Sequence, residues 1–466
     1  MSVISGGVVY KQRKKVSVYI NPFDIIVGID KKKFALRRKT AEQAKLSFAS
    51  QLYELHSILV RQQQKANSEI KSETDESKRQ IILQDSLTLK EDICLEQLDK
   101  LRKIGASLRS ELSDGIIKAF QKKGFLRNNN QQEPFLSFIE DIDREEAHTP
   151  ILWDMMHEKG QKKFNDLLDE RNWGRFWGFR APITHWVFGR EPSETIRLRK
   201  SFSAIHEELK FAVKEDKLLQ KFTEKRHQNL AGAFRIKVNE ELKRQLINEL
   251  EIQSWWNERK QNYWLKIYLD ELTKKSSLRK AKTWTEDTLI SILKDCKKYY
   301  DLLHFACHCE ASDKSEFLSL LEMKVGGAPI SLDVATMAIE LKTDEHEDES
   351  DWDTEKPGRL VFLNACDTGG ASPSHEPPGF PYKWIDCQNA CAVIVTLCKI
   401  PDYFAYAFAE KFYENLFKET TDLNNITYVS EALLATRRYF MEKHNNPFGL
   451  AYVLYAMPEA HVQADF

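Results

Sequence analysis

An α/β fold, with a mostly parallel sheet flanked by helices and a helical N-terminal region, follows from three features of the sequence. In its last third, short apolar runs alternate with helical patterns, the rhythm of strands covered by helices. Two of those runs, Asp301 to His308 and Arg359 to Cys366, read as buried strands stopped by polar or Gly-rich sequence. Between residues 41 and 112, by contrast, leucines and aromatics recur at helical spacing.

Taken in order, the chain starts with a basic stretch. Ten Lys or Arg lie between Lys11 and Lys39, against Asp24 and Asp30 only, and a strand pair is expected at Val16 to Ile20 and Ile25 to Ile29. From Ala41 to Arg61, the positions Phe48, Leu52, Leu55 and Leu59 predict a helix. Residues 64–80 are polar and charged, which suits an exposed helix or a linker. Cys94, Leu98, Leu101, Leu108 and Leu112 mark a second amphipathic helix. Gly105 shares its face and permits close packing there, since Gly otherwise costs about 1 kcal/mol in a helix interior.

Phe125 to Pro134 reads as a loop, followed by Thr149 to Met156 and an aromatic-rich piece, Trp173 to Pro182. Residues 202–275 read mostly as helix, with Trp255, Trp256, Tyr263, Trp264 and Tyr268 on a buried face rather than stacking on bases. The remaining elements are a helix near Leu332 to Leu341, a strand at Val393 to Leu397, helices at Ala405 to Phe417 and Ser430 to Tyr439, and a strand at Leu450 to Ala456. Two connections stand apart: an acidic one, Asp344 to Glu355, and Thr368 to Pro381, rich in Gly, Pro and Ser.

A chain of 466 residues accommodates two or three domains, or one large α/β domain with an appendage. With 69 Lys and Arg against 70 Asp and Glu, the net charge of -1 gives no global attraction to polyanions. Direct nucleic-acid binding is not expected, and the basic stretch reads as a solvated extension. The first residues lack a signal-peptide pattern, and the strongly apolar stretch Ala390 to Cys398 is too short to span a bilayer. Eight cysteines without secretion signals argue for reduced thiols in a cytoplasm. Consecutive Cys307, His308 and Cys309 make a poor zinc set, because in a strand His308 points away from both cysteines. No cofactor and no membrane contact are expected.

If the two buried strands lie parallel and adjacent, His308 and Cys366 meet at the sheet edge where open α/β sheets place their chemistry. A cysteine attacks as the thiolate, so it needs a neighbouring base. His308 can take the thiol proton and return it to a departing amine. Backbone N–H groups of Cys366 and Cys309 are the natural donors to a developing oxyanion.

The blocks His304-Phe305-Ala306-Cys307-His308 and Asn364-Ala365-Cys366-Asp367-Thr368 resemble the two signature blocks of the CHAT peptidases, caspase-like cysteine peptidases of the clan of caspases, gingipains and separase. Leu98 to Leu112 with Gly105, Pro150 to Asp154, Trp177 to Ile183 and Ala451 to Pro458 resemble further blocks in the family's order, so that the resemblance spans roughly residues 90–460. It implies a caspase-like sheet, with His308 as base and Cys366 as nucleophile of a dyad that needs no third residue. The family usually carries Gly after the histidine, where this chain has Cys309. A positive φ there would strain a Cys and misplace an oxyanion donor, whereas a negative φ would leave the N–H unaffected. A Gly is also common where this chain has Ala390-Cys391.

The expected organisation is a basic, mainly helical extension over 1–90, a helical first half of the CHAT region over 91–200, and a catalytic domain over 201–466. The expected activity is cleavage of a protein substrate by a Cys-His dyad. Asp367 and the acidic connection suggest a basic P1 residue by charge complementarity. The Thr368 to Pro381 connection suggests a segment that orders over substrate, controlled by an activating or sensor protein docking on the N-terminal helices. Relatives in bacterial defence suggest that setting by resemblance alone. The alternative is a catalytically inactive interaction module on the same fold.

Overall fold

The computed structural model describes residues 4–5, 8–9, 15–21, 26–29, 32–35, 38–112, 114–122, 135–140, 153–158, 173–187, 193–196, 201–219, 221–222, 289–290, 293–294, 301–310, 319–324, 330–341, 358–366, 368, 379–417, 426–457 and 459–462. The basic N-terminal stretch supplies strands β1 (Lys15–Asn21), β2 (Ile26–Ile29) and β3 (Lys32–Ala35). Helix α1 (Arg38–Ser72) runs past the expected end at Arg61. After a break, α2 (Glu76–Asp85) starts at the cap of Asp75, whose carboxylate accepts from the Ser77 amide at 2.8 Å. Residues 64–80 are therefore mostly helix, as one of the two expectations had it. Helices α3 (Glu91–Glu111) and α4 (Asp114–Lys122) follow.

Phe48, Leu52, Leu55 and Leu59 of α1 are buried with Leu98, Leu101 and Leu108 of α3 in one apolar core. Gly105 has a definite task. A Cβ there would fall on the Met155 carbonyl oxygen and lie 3.0 Å from the His157 nitrogen. Any larger residue would push α3 away from the segment that carries Trp153.

The sheet continues with β4 (Phe135–Glu140), β5 (Ile183–Val187) and β6 (Ser201–Ile205). The last corrects the helical expectation for the start of the segment, residues 202–211. Helix begins only at 212, because Ser201-Phe202-Ser203-Ala204-Ile205 pairs as a short edge strand whose tertiary partners outweigh local propensity. Trp255 to Tyr268 lie outside the described residues, as do Phe125 to Pro134 and the acidic connection 344–355.

In the last third come β7 (Leu302–Ala306), a small antiparallel ladder of β8 (His308–Glu310), β9 (Leu320–Met323) and β10 (Ile330–Asp333), and helix α5 (Val334–Glu340). Then follow β11 (Arg359–Leu363), α6 (Gly379–Gln388), β12 (Ala390–Thr396), α7 (Asp402–Leu416), α8 (Val429–His444) and β13 (Tyr452–Ala456). The end of the Gly/Pro-rich connection, Gly379-Phe380-Pro381, is thus the first turn of α6 rather than loop. Pro is tolerated there because the amides of a first turn have no intrahelical acceptor.

Among the described residues, ten strands form one sheet in the order β3-β2-β1-β4-β5-β13-β12-β11-β7-β6. Of the pairings described within this sheet, only β1–β2, β2–β3 and β12–β13 are antiparallel, so the fold is α/β with a mostly parallel sheet and helices, as expected. Strands β7, β11 and β12 are buried throughout, which is why they read as continuous apolar runs without alternation.

A buried polar knot ties the middle blocks to the C-terminal helix. Arg437 of α8 donates to Asp154 Oδ1 at 2.7 Å and to the Gly178 carbonyl at 3.1 Å, and also to the Tyr452 carbonyl. His185 of β5 meets Asp154 Oδ2 at 2.6 Å. Burial alone would push the Asp154 carboxyl up; Arg437 and His185 reverse that and hold it down at about 2. Among the described residues no helix is long and apolar enough to cross a membrane.

Candidate active site

Strands β7 and β11 pair in parallel, from Leu302 opposite Leu360 to Phe305 opposite Leu363. Asn364 extends the ladder by one bond, its amide donating to the Phe305 carbonyl at 2.8 Å. Both chains then leave the sheet at its C-terminal edge. One turns through Cys307 into the separate β8 ladder, so His308 opens an antiparallel strand rather than ending the parallel one. The other turns through Ala365 and Cys366. Asp367 lies outside the described residues.

The turn that carries Cys366 is clamped from the neighbouring strand. Thr396, the last residue of β12, donates its hydroxyl to the Ala365 carbonyl. Its amide donates to the Thr368 hydroxyl at 3.1 Å, and that hydroxyl in turn reaches the Ala365 carbonyl at 3.3 Å. A short turn with no regular ladder of its own is thereby fixed at three points.

His308 and Cys366 line one pocket of about 90 Å³, shared with Glu215, Asn364 and Asp402. Cys366 is half-buried and His308 exposed. The covering of the His308 ring and the adjacent His206 imidazole hold it below the ordinary imidazole value, against Glu322 and Glu208, which act in the opposite direction. The neutral, proton-accepting form is favoured.

Cys309 is the second residue of β8 and faces Leu321 across the ladder. Among the described non-glycine residues, positive φ occurs only at Asn389 and Asn445. The backbone at Cys309 is therefore ordinary strand, and the strain considered for a Cys after His308 does not arise. The second departure resolves similarly. Asn389, at φ 54°, takes the left-handed position just before β12, a conformation Asn tolerates, and β12 then opens on a register shift, Arg359 pairing with Ala390 and Leu360 with Ala392, which leaves Cys391 as the extra residue.

Beneath the pocket lies a network that the sequence did not reveal. Glu215, 2% exposed, accepts from the Asn364 side-chain amide at 2.7 Å, and its other close partner is His304 Nε2 at 2.7 Å. Tyr413 is 2.8 Å from His304 Nδ1, and Tyr452 donates to Asn364 Oδ1 at 2.7 Å. Asp402, in the first turn of α7, accepts from the Phe211 amide at 3.2 Å. Burial, reinforced by the nearby Glu215 charge, pushes its carboxyl up to about 6. Asp402 could have been found by the rule that located His308 and Cys366, since it too follows a buried strand at the C-terminal edge. Glu215 carries no such signal; it comes from the segment read only as charged helix.

Several comparisons bear on this arrangement. No curated protein matches the chain. Solved structures that it resembles include the Arg-specific cysteine proteinase gingipain R (RgpB), at TM-score 0.39 and 9% identity, covering 76% of this chain and 70% of that one. The complex of Porphyromonas gingivalis RgpB pro- and mature domains aligns at TM-score 0.38 and 10% identity, over 79% of this chain and 76% of that one. The Saccharomyces cerevisiae separase–securin complex aligns at TM-score 0.38 and 11% identity, over 97% of this chain but 30% of that one. The CHAT domain family matches over residues 191–451, a shorter reach than the blocks from residue 90 onward suggested. It takes in β6 through α8 and stops just short of β13, with both strand-end blocks inside, and the chain belongs to the CHAT-domain family.

Proposed function

We propose that the chain is a cysteine endopeptidase in which Cys366 is the nucleophile and His308 the general base. The observation that carries the proposal is that a thiol and an imidazole, each just beyond the end of one of two adjacent parallel strands, share one small pocket. His308 takes the Cys366 proton, and the thiolate attacks the scissile carbonyl. The Cys366 and Cys309 amides receive the oxyanion, and the His308 imidazolium protonates the departing amine. Water then cleaves the thioester, with His308 again as base.

A basic P1 residue is the proposed specificity. Asp367 and residues 344–355, whose charge suggests it, lie outside the described residues. Support comes instead from Asp402 and Glu215, two carboxylates lining the same pocket. The three-part division at about 90 and 200 is retained as a proposal, with strands β1 to β3 of the first part completing the sheet edge. Docking of an activating protein on α1 to α3, in a defence setting, belongs to the same proposal.

The test is a thiol-reactive peptide probe followed by mass spectrometry. Labelling concentrated at Cys366, and lost in His308→Ala with the fold retained, is the expected result. Uniform labelling of several cysteines, unaffected by that substitution, would refute the dyad and favour the interaction module.

A further inference from the structure

The outermost strand β6 brings a second imidazole to the site. His206 follows its last residue, and the His206 amide donates to the Ala306 carbonyl at 2.8 Å. The Lys324 amide donates to the Ile205 carbonyl at 3.2 Å and the Glu207 amide to the Lys324 carbonyl at 2.9 Å, which joins the end of β6 to the β8–β9 ladder. The His206 side chain is 3% exposed. Its ring meets the His308 ring edge to face, with centroids 4.6 Å apart and planes at 68°.

His206 Nε2 lies 3.6 Å from Glu322 Oε1, and Glu322 is the residue opposite His308 in the ladder. His206 Nδ1 is buried without a hydrogen-bond partner among the described residues. A phenyl ring would fill such a place with no unsatisfied polar atom, so packing alone does not account for a histidine.

We propose that His206, beside Glu322, is a positioning residue that fixes the plane of the His308 imidazole at the mouth of the Cys366 pocket. This rests on His308 being the base. The charged groups around the pair are Glu322 across the ladder, Glu208 in an ion pair with Lys324, and Glu207 near Lys324. After burial, His206 is the neighbour that disfavours a proton on His308, whereas Glu322 and Glu208 favour one. Removing His206 therefore shifts His308 toward the imidazolium, the form that cannot accept the thiol proton.

The experiment follows the His308 imidazole by NMR of the histidine-labelled full chain, alongside turnover of fluorogenic peptides, in His206→Gln, His206→Phe and Glu322→Gln. In both His206 variants the His308 midpoint and the acid limb of kcat/KM move to higher pH, and kcat falls roughly tenfold or more with KM little changed. His206→Gln, which keeps a polar group beside Glu322, retains more kcat than His206→Phe. Glu322→Gln moves the midpoint the opposite way and also lowers kcat, and it serves as the second arm if a His206 variant does not fold. An unshifted His308 midpoint in folded variants would overturn the role of His206. A wild-type chain without Cys366-dependent turnover would instead remove the peptidase proposal, and with it the base that His206 positions.

Discussion

At the residue scale, the pocket carboxylates make the sharpest predictions. Asp402 has its carboxyl raised to about 6, so the folded state holds its proton more tightly than the unfolded chain does. Its contribution to stability is present at low pH and lost as pH rises through about 6. Asp402→Asn should therefore raise Tm relative to the parent at pH 8 and leave it little changed at pH 4, as differential scanning calorimetry would show. If the pocket receives a basic side chain, the parent's preference for Lys or Arg substrates should strengthen through the same pH range. In Asp402→Asn that preference should fall by roughly ten- to a hundredfold in kcat/KM and lose its pH dependence, the worth of one charge pair of about 1.5–3 kcal/mol. An Asn variant with unchanged preference would move the specificity elsewhere.

At the scale of elements, the Cys366 turn depends on β12 as much as on its own strand. Thr396→Val removes the hydroxyl that reaches the Ala365 carbonyl, and Thr368→Val removes the acceptor of the Thr396 amide. Each should cost about 1–2 kcal/mol of stability and slow probe labelling of Cys366 by more than that loss explains, measured well below the unfolding transition. The α3 contact makes a separate prediction. Gly105→Ala places a methyl group on the Met155 carbonyl; overpacking of this kind costs about 1–3 kcal/mol. Denaturant titration should show it, with the labelling rate of the folded protein unaffected because the contact is remote from the pocket.

For the molecule as a whole, the Asp154–Arg437–His185 knot links the middle blocks, the closing helix and the sheet. The Asp154 carboxyl is held at about 2, below its unfolded value, so its contribution is present at neutral pH and lost as pH falls through about 2. Arg437→Met leaves that carboxylate buried beside His185 alone, and should destabilise by about 3–5 kcal/mol at pH 7. The deficit should shrink toward pH 3 as Asp154 becomes protonated. A loss independent of pH would mean that packing around the guanidinium, not its charge, holds these parts together.

Much of this protein is legible in its sequence because burial leaves a compositional trace. Strands β7, β11 and β12, covered on both faces, had to be runs of Leu, Val, Phe and Ala, and α1 and α3 had to repeat leucine at helical spacing. Those runs also place His308 and Cys366 just beyond the ends of two adjacent strands, which is enough to suggest their chemistry. What tertiary structure decided is whatever depends on residues distant in sequence. Ser201–Ile205 is a strand because β7 lies beside it, and Cys309 is unstrained because β9 pairs with it. Glu215 and Asp402 reach the pocket, and His206 reaches the His308 ring, through three different elements. No local pattern records such meetings, since polar side chains are selected there by partners that only the folded chain brings within reach.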